Sequence, residues 1–295
     1  MSLAIGRRNG GVLRGVGLLM LTASGWGLNW AATKYLITEC PPLTARGLAG
    51  LAAGFGLAAL AAARGEGLAV PAQARLPLLC AALLNVTAWM GLTTVSMLWL
   101  PAGEAATLAY TMPVWAALLA LPVLGERLGP ARMVALALGL GGVWLLVRHG
   151  FGRDAAKLPG IAAALIAALA FALGTVLAKR RKLPLAPLAA TAWQVGLGCA
   201  PLLVAGLLFE RPHLLAMAWY AWAALGYTAV ISLGVCYLAW FGALRRLPAG
   251  TAAIGMLLTP VIGVLASAAT LGEPLLGRQL AALALVLSAV LLATR

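Results

Sequence analysis

Apolar runs of about twenty residues, the length a helix needs to cross a hydrocarbon core, alternate along this chain with short breaks. The runs lie near 12–37, 44–63, 76–99, 101–123, 130–148, 159–179, 187–209, 217–244, 248–271 and 275–293. The pattern predicts an all-α integral membrane protein with ten transmembrane helices. The breaks carry Pro41-Pro42, Pro71, Pro101, Pro130, Pro159, Pro184, Pro248 and Pro274. Proline suits the first turn of a helix, where its missing N–H has no partner to lose. No soluble domain fits between the runs. The first run follows Arg7, Arg8 and Arg14 in the manner of a signal peptide. It is longer than such a segment and has a counterpart in the second half, so it is expected to be retained.

Two runs repeat one another. TMPVWAALLALPVLGERL (111–128) and LTPVIGVLASAATLGEPL (258–275) pair Pro113 with Pro260, Val114 with Val261, and Leu124-Gly125-Glu126 with Leu271-Gly272-Glu273, 147 residues apart in a chain of 295. The likeness extends back, from PAGEAA (101–106) to PAGTAA (248–253), and forward, from residues 134–138 to 281–285. Trp26-Gly27-Leu28 through Lys34 finds a weaker echo in Phe171-Ala172-Leu173 through Lys179. The chain thus reads as two copies of a five-helix unit, residues 1–150 (spans 1–5) and 151–295 (spans 6–10). Five is odd, so the second copy enters the membrane from the opposite side. Such inverted repeats are the usual architecture of secondary transporters. Pro113 and Pro260 each remove a backbone hydrogen bond within a span, and a freed carbonyl must face protein or a cavity. Spans 4 and 9 are expected to bend there, either as gates at opposite faces or as static kinks.

Composition agrees with the membrane reading. The chain is 63% hydrophobic and 9% charged, with a mean hydropathy of +1.00, whereas soluble domains carry about 25% charged residues. The net charge of +14 arises from 21 Lys and Arg against 7 Asp and Glu. These basic residues fall between the runs, where they meet anionic headgroups, so the bilayer and not nucleic acid is the expected partner. With a cytoplasmic N-terminus, most of them, including Lys179-Arg180-Arg181-Lys182, lie on the cytoplasmic side. The positive-inside rule then places both termini in the cytoplasm. Cys40, Cys80, Cys199 and Cys236 lack metal-ligand spacing and read as small packing residues. There is no H-E-x-x-H, G-x-S-x-G or P-loop, so neither catalysis nor a cofactor or metal is expected. No obligatory protein partner is evident. Gly50-x-x-x-Gly54 and Gly139, Gly141 and Gly142 allow close helix contacts, within the bundle or between subunits.

The pattern W-G-x-N-W-x-x-x-K in span 1 (Trp26, Gly27, Asn29, Trp30, Lys34), the doubled P-V…L-G-E feature and the five-plus-five count resemble the EamA family of the drug/metabolite transporter superfamily, over almost the whole chain. Within that family the chain is most similar to the YddG-type aromatic amino acid exporters. The resemblance implies a multi-pass inner-membrane exporter with ten helices and a central cavity lined by spans 1, 3, 4, 6, 8 and 9.

A site at the bilayer midplane should show as polar or aromatic residues in mid-span. Span 1 offers Trp26, Asn29 and Trp30; span 3 offers Asn85, Trp89 and Thr93; span 4 offers Tyr110 and Thr111; span 6 offers Phe171 and Thr175; span 8 offers Tyr227, Tyr237 and Trp240; span 9 offers Met256 and Thr259. Asn29 and Asn85 either line the site or bond across helices, since a bare amide in hydrocarbon demands a partner. Trp99, Trp144, Trp219, Tyr220 and Trp222 belong to interfacial belts. An aromatic wall suits aromatic side chains and lipophilic drugs alike. Lys34 and Lys179 are expected to snorkel, and Arg46 to sit at the interface. A zwitterion would then be held by amides, hydroxyls and freed carbonyls.

Every acid lies in a loop or near a span end. Glu104 is expected to complement a helix N-terminus, and Glu126 and Glu273 to cap or to pair with groups such as Arg127 or Arg278. Without a mid-membrane acid, facilitated diffusion is the expected energetics. The alternatives are a proton-coupled exporter of drugs or other metabolites on the same fold and, more distantly, a membrane-embedded enzyme or sensor.

Overall fold

The computed structural model describes residues 2–125, 130–152, 155–180, 183–248, 251–252 and 255–293. Glu126, Arg127, Asp154, Arg181, Lys182 and Arg295 lie outside the described residues, as do Ala249, Gly250 and Ala253 of PAGTAA. The regular elements among the described residues are all helices, with no strand among them. α1 is Ser2–Leu36 and α2 is Pro42–Ala63. The third run comprises α3 (Ala72–Ala82) and α4 (Trp89–Ser96), joined by a π-helical stretch, Leu83–Ala88. The fourth comprises α5 (Ala102–Ala109) and α6 (Met112–Leu124). Next come α7 (Pro130–Gly152), α8 (Leu158–Arg180) and α9 (Pro187–Phe209). The eighth run comprises α10 (Trp219–Gly226) and α11 (Cys236–Leu244) around a second π-helical stretch, Tyr227–Val235, and α12 (Leu258–Leu271) and α13 (Gly277–Ala293) end the order.

Among the described residues, seven helical stretches are long and apolar enough to cross a membrane, and Met133–Leu146, Leu258–Leu271 and Gly277–Leu292 are shorter apolar helices. In the run over 248–271 a turn at Met256–Leu257 precedes α12. The fourth run breaks in the same way at Tyr110–Thr111. Each break precedes its proline. Pro113 therefore sits in the first turn of α6, where the absent N–H removes no helical bond. The expected interruption is present, but the backbone turns ahead of the ring instead of bending at it. The repeated Leu-Gly pair has its own cause. Gly125 (φ 68°) and Gly272 (φ 66°) end α6 and α12 in the left-handed region, which glycine enters without a Cβ penalty.

Packing follows a reciprocal scheme. α2 packs along α9, and α7 along α13; α1 packs on α12 and α11, while α8 packs on α6 and α4. Exchanging the two halves leaves this set of neighbours unchanged. Small residues set the closest approaches. A Cβ on Gly50 would stand 2.0 Å from Cys199 Sγ, one on Gly47 2.5 Å from the Leu203 backbone, and one on Gly54 3.0 Å from Gly196. The Gly50-x-x-x-Gly54 face thus works inside the bundle, as small-residue stripes do when backbones must touch. Large apolar side chains point outward instead, among them Phe55, Phe209, Leu215 and Trp219, with Trp99, Trp144, Tyr220 and Trp222 also exposed.

Carboxylates fasten the helix starts. Glu210 accepts from the Leu43 and Thr44 N–H groups at 2.9 and 2.8 Å and from the Thr44 hydroxyl at 2.8 Å. Glu66 accepts from Ala189 N–H at 3.2 Å. Glu273 accepts from Ala102 and Gly103 N–H at 2.6 and 3.0 Å. Each satisfies orphan donors and sits on the positive end of the helix dipole. Glu273, at the end of α12, meets the start of α5, so these matched runs lie antiparallel.

Candidate functional site

A cavity of about 370 Å³ opens where α1, α4, the α5–α6 break, α8 and the second π-helical stretch converge. Two aromatic groups wall it. On one side Trp26 meets Tyr237 (centroids 5.2 Å apart, at 70°) and Trp240 (6.2 Å). On the other, Tyr110 meets Trp30 (6.3 Å) and Trp89 (6.5 Å, 82°), and Trp89 meets Phe171 (4.8 Å). Edge and tilted contacts of this kind match the ring quadrupoles. Trp26 and Trp30 lie one helical turn apart and so share a face, which lets one helix contribute to both groups.

Local backbone irregularity positions several of these rings. A π-helical stretch adds a residue to a turn, which re-aims side chains and loosens the carbonyl ladder. Trp26 Nε1 donates to the Ser232 carbonyl within such a stretch, at 2.8 Å. Leu83–Ala88 immediately precedes Trp89, and Tyr110 occupies the break between α5 and α6.

The structure brings Trp26, Asn29, Trp30, Trp89, Thr93, Tyr110, Phe171, Tyr237, Trp240 and Met256 to the cavity wall. Asn29 also bonds across helices, its Oδ1 accepting from Thr228 Oγ1 at 3.0 Å. Thr93 donates to the Trp89 carbonyl of its own helix at 2.6 Å. Five residues stay off the wall. Asn85 lies against Gly174, where an added Cβ would stand 1.9 Å from its Oδ1. Thr111 donates to Leu108 O and accepts from Trp115 Nε1. Thr175 donates to Phe171 O, the self-bonding common for threonine in helices. Tyr227 reaches back to Gly25 O at 2.9 Å, and Thr259 is fully buried.

Sequence reading missed Arg46. It is 7% exposed, not interfacial. Its Nε donates to Thr94 Oγ1 at 2.6 Å and its Nη2 to Thr33 Oγ1 at 3.0 Å, and it lines the cavity. The available signal was an arginine five residues into an apolar helix, flanked in neighbouring runs by threonines able to hold it. Met90, Met112, Ser232 and Leu233 complete the wall. Lys34 does not simply snorkel. Its Nζ donates to the Met97 and Leu100 carbonyls at the end of the third run, where the dipole favours a cation. Glu104, also buried, pairs with Lys157 at 3.4 Å. Among the described residues no His, Cys, Asp and Glu group could hold a metal.

The sequence profile of the EamA-like transporter family matches residues 13–148 and again 158–295. An uncharacterized transporter of Bacillus subtilis (strain 168), YvbV, is 30% identical over 270 residues, covering 90% of this chain and 87% of that protein. A Salmonella typhimurium (strain LT2) protein named a probable amino-acid metabolite efflux pump is 26% identical over 283 residues (92% and 91%). An uncharacterized inner membrane transporter of Escherichia coli (strain K12), YedA, is 26% identical over 273 residues (91% and 87%). A solved crystal structure shares the fold with a TM-score of 0.66 at 22% identity, covering 97% of both chains. With two family matches spanning almost its whole length and an all-helical bundle of apolar segments, this multi-span membrane protein belongs to the EamA-like transporter family.

Proposed function

We propose that the protein is a secondary transporter that exports small amphipathic metabolites, aromatic and other neutral amino acids foremost, by alternating access. The observation that carries the reading is the aromatic-walled cavity between halves whose packing is reciprocal. In this reading ten spans form two inverted five-helix repeats, 1–150 and 151–295. The twofold family match, the antiparallel meeting of α12 with α5 and the paired left-handed glycines support it. Two similar halves can exchange shapes, which gives outward- and inward-open states of comparable free energy.

The wall recommends the substrate class. Rings stack on planar apolar groups for about 0.5–1.5 kcal/mol per pair beyond burial, which fits the YddG-type aromatic specificity, and the Salmonella relative's name points to amino acids too. The breaks ahead of Pro113 and Pro260 serve as the gates. Flux is facilitated diffusion: Glu104, the acid nearest to mid-span, is held by Lys157 away from the cavity wall. Residence in an inner membrane with both termini cytoplasmic completes the proposal. Counterflow in liposomes across a panel of amino acids and lipophilic drugs tests it. Accelerated exchange of tryptophan, phenylalanine or tyrosine is expected, and counterflow by none of the amino acids would sink the reading.

A further inference from the structure

The cavity wall carries a cation. Arg46 begins its approach to the cavity about 6 Å along the axis from Pro42, at 1.5 Å per residue. The residue is 7% exposed, and its guanidinium reaches Thr33 of α1 and Thr94 of α4. Thr33 and Thr94 take two of its five N–H groups and set the plane of the fork. Both are hydroxyls, so neither neutralises it. Among the described residues no carboxylate pairs with Arg46, while the wall around it is aromatic, aliphatic or uncharged polar. A buried charge of this kind costs far more unpaired than paired. The matching position on α9 carries no arginine. Aligning Pro42 with Pro187, the proline starts of α2 and α9, sets Thr191 opposite Arg46, and Thr191 spends its hydroxyl on Pro187 O.

We infer that Arg46 is the anion anchor of this site, holding the carboxylate of the transported molecule while the aromatic groups receive its side chain. The inference rests on the transporter reading above and narrows its substrate class to molecules carrying an acid group beside an apolar or planar body. The guanidinium presents donors in a rigid fork matched to a carboxylate. The same charge repels lipophilic cations, which separates this protein from exporters of cationic drugs. The anchor belongs to one half alone, so the anion stays with α2 as the other half moves.

The test compares acids with their amides. Binding to the purified full chain is read by cavity tryptophan fluorescence, with phenylalanine against phenylalaninamide and N-acetylphenylalanine against N-acetylphenylalaninamide. Leucine against leucinamide extends the series to an aliphatic body. The acid is expected to bind at least about tenfold more tightly than its amide, with the preference collapsing toward unity in Arg46→Gln and partly restored in Arg46→Lys. Because Arg46 also bridges Thr33 and Thr94, a second measurement leaves the chain intact. Phenylglyoxal modification of wild-type Arg46, followed by peptide mass mapping, should be slowed by the acids and not by the amides. Equal binding of acid and amide, or equal protection, overturns the anchor and leaves the transporter reading standing. Binding of neither compound in any pair overturns both.

Discussion

At the scale of single residues, the cavity divides labour between rings and one charge. Trp89 touches both Phe171 and Tyr110, so Trp89→Ala removes two ring contacts from the wall. Transport of aromatic amino acids should fall about two- to tenfold, the equivalent of one lost ring pair, while that of alanine or valine stays near wild type. An equal loss for both classes, measured by counterflow, would contradict a stacking role. Cys40 makes a separate point about burial. It lies in the loop before α2, 1% exposed, and burial pushes its thiol up to about 11, with the Glu210 charge adding to the effect. A raised thiol pKa keeps the neutral form dominant at neutral pH, so the reactive thiolate is scarcer than for an ordinary cysteine. Iodoacetamide labelling of a variant retaining only Cys40 should stay slow at neutral pH and accelerate as the pH is raised into the alkaline range.

Among helices, the informative features are interruptions and close approaches. Spans 4 and 9 break at Tyr110–Thr111 and Met256–Leu257, each just before its proline. Pro113→Ala and Pro260→Ala allow the helix to run through, so both should slow counterflow with membrane insertion intact; unchanged rates in both would remove the gate. Gly50 tests the frame instead. A side chain there meets Cys199 Sγ at 2.0 Å, and Gly50→Val should cost about 1–3 kcal/mol by overpacking, seen as a lower unfolding temperature in detergent. The sequence made the breaks legible because two prolines stood at matching positions. It could not place them ahead of the ring, since that depends on which carbonyls the neighbours satisfy. The π-helical stretches left no trace, because an extra residue in a turn changes spacing without changing composition.

For the whole molecule, energetics and topology decide. An imposed pH gradient should leave amino acid flux into liposomes nearly unchanged, because Glu104 is tied to Lys157; strong acceleration would put a proton back into the cycle. Much of the site could be read from the chain. Trp26 with Trp30, and Trp89, stood in mid-run at depths where an interfacial role fails. Thr111, Thr175 and Tyr227 misled because a polar atom in a helix finds backbone before it finds a cavity. Arg46 escaped notice because linear position suggests an exposed end, and only its burial and its bonds to Thr33 of α1 and Thr94 of α4 show otherwise.

The glutamate caps carry a consequence for assembly. Glu210 and Glu273 finish helices that begin in residues 1–150, and Glu66 finishes one that begins in 151–295. Neither portion is whole without carboxylates lent by the other. A gene cut in two after residue 150 should give fragments that are degraded when made singly and accumulate when made together, as a pair that purifies on one tag.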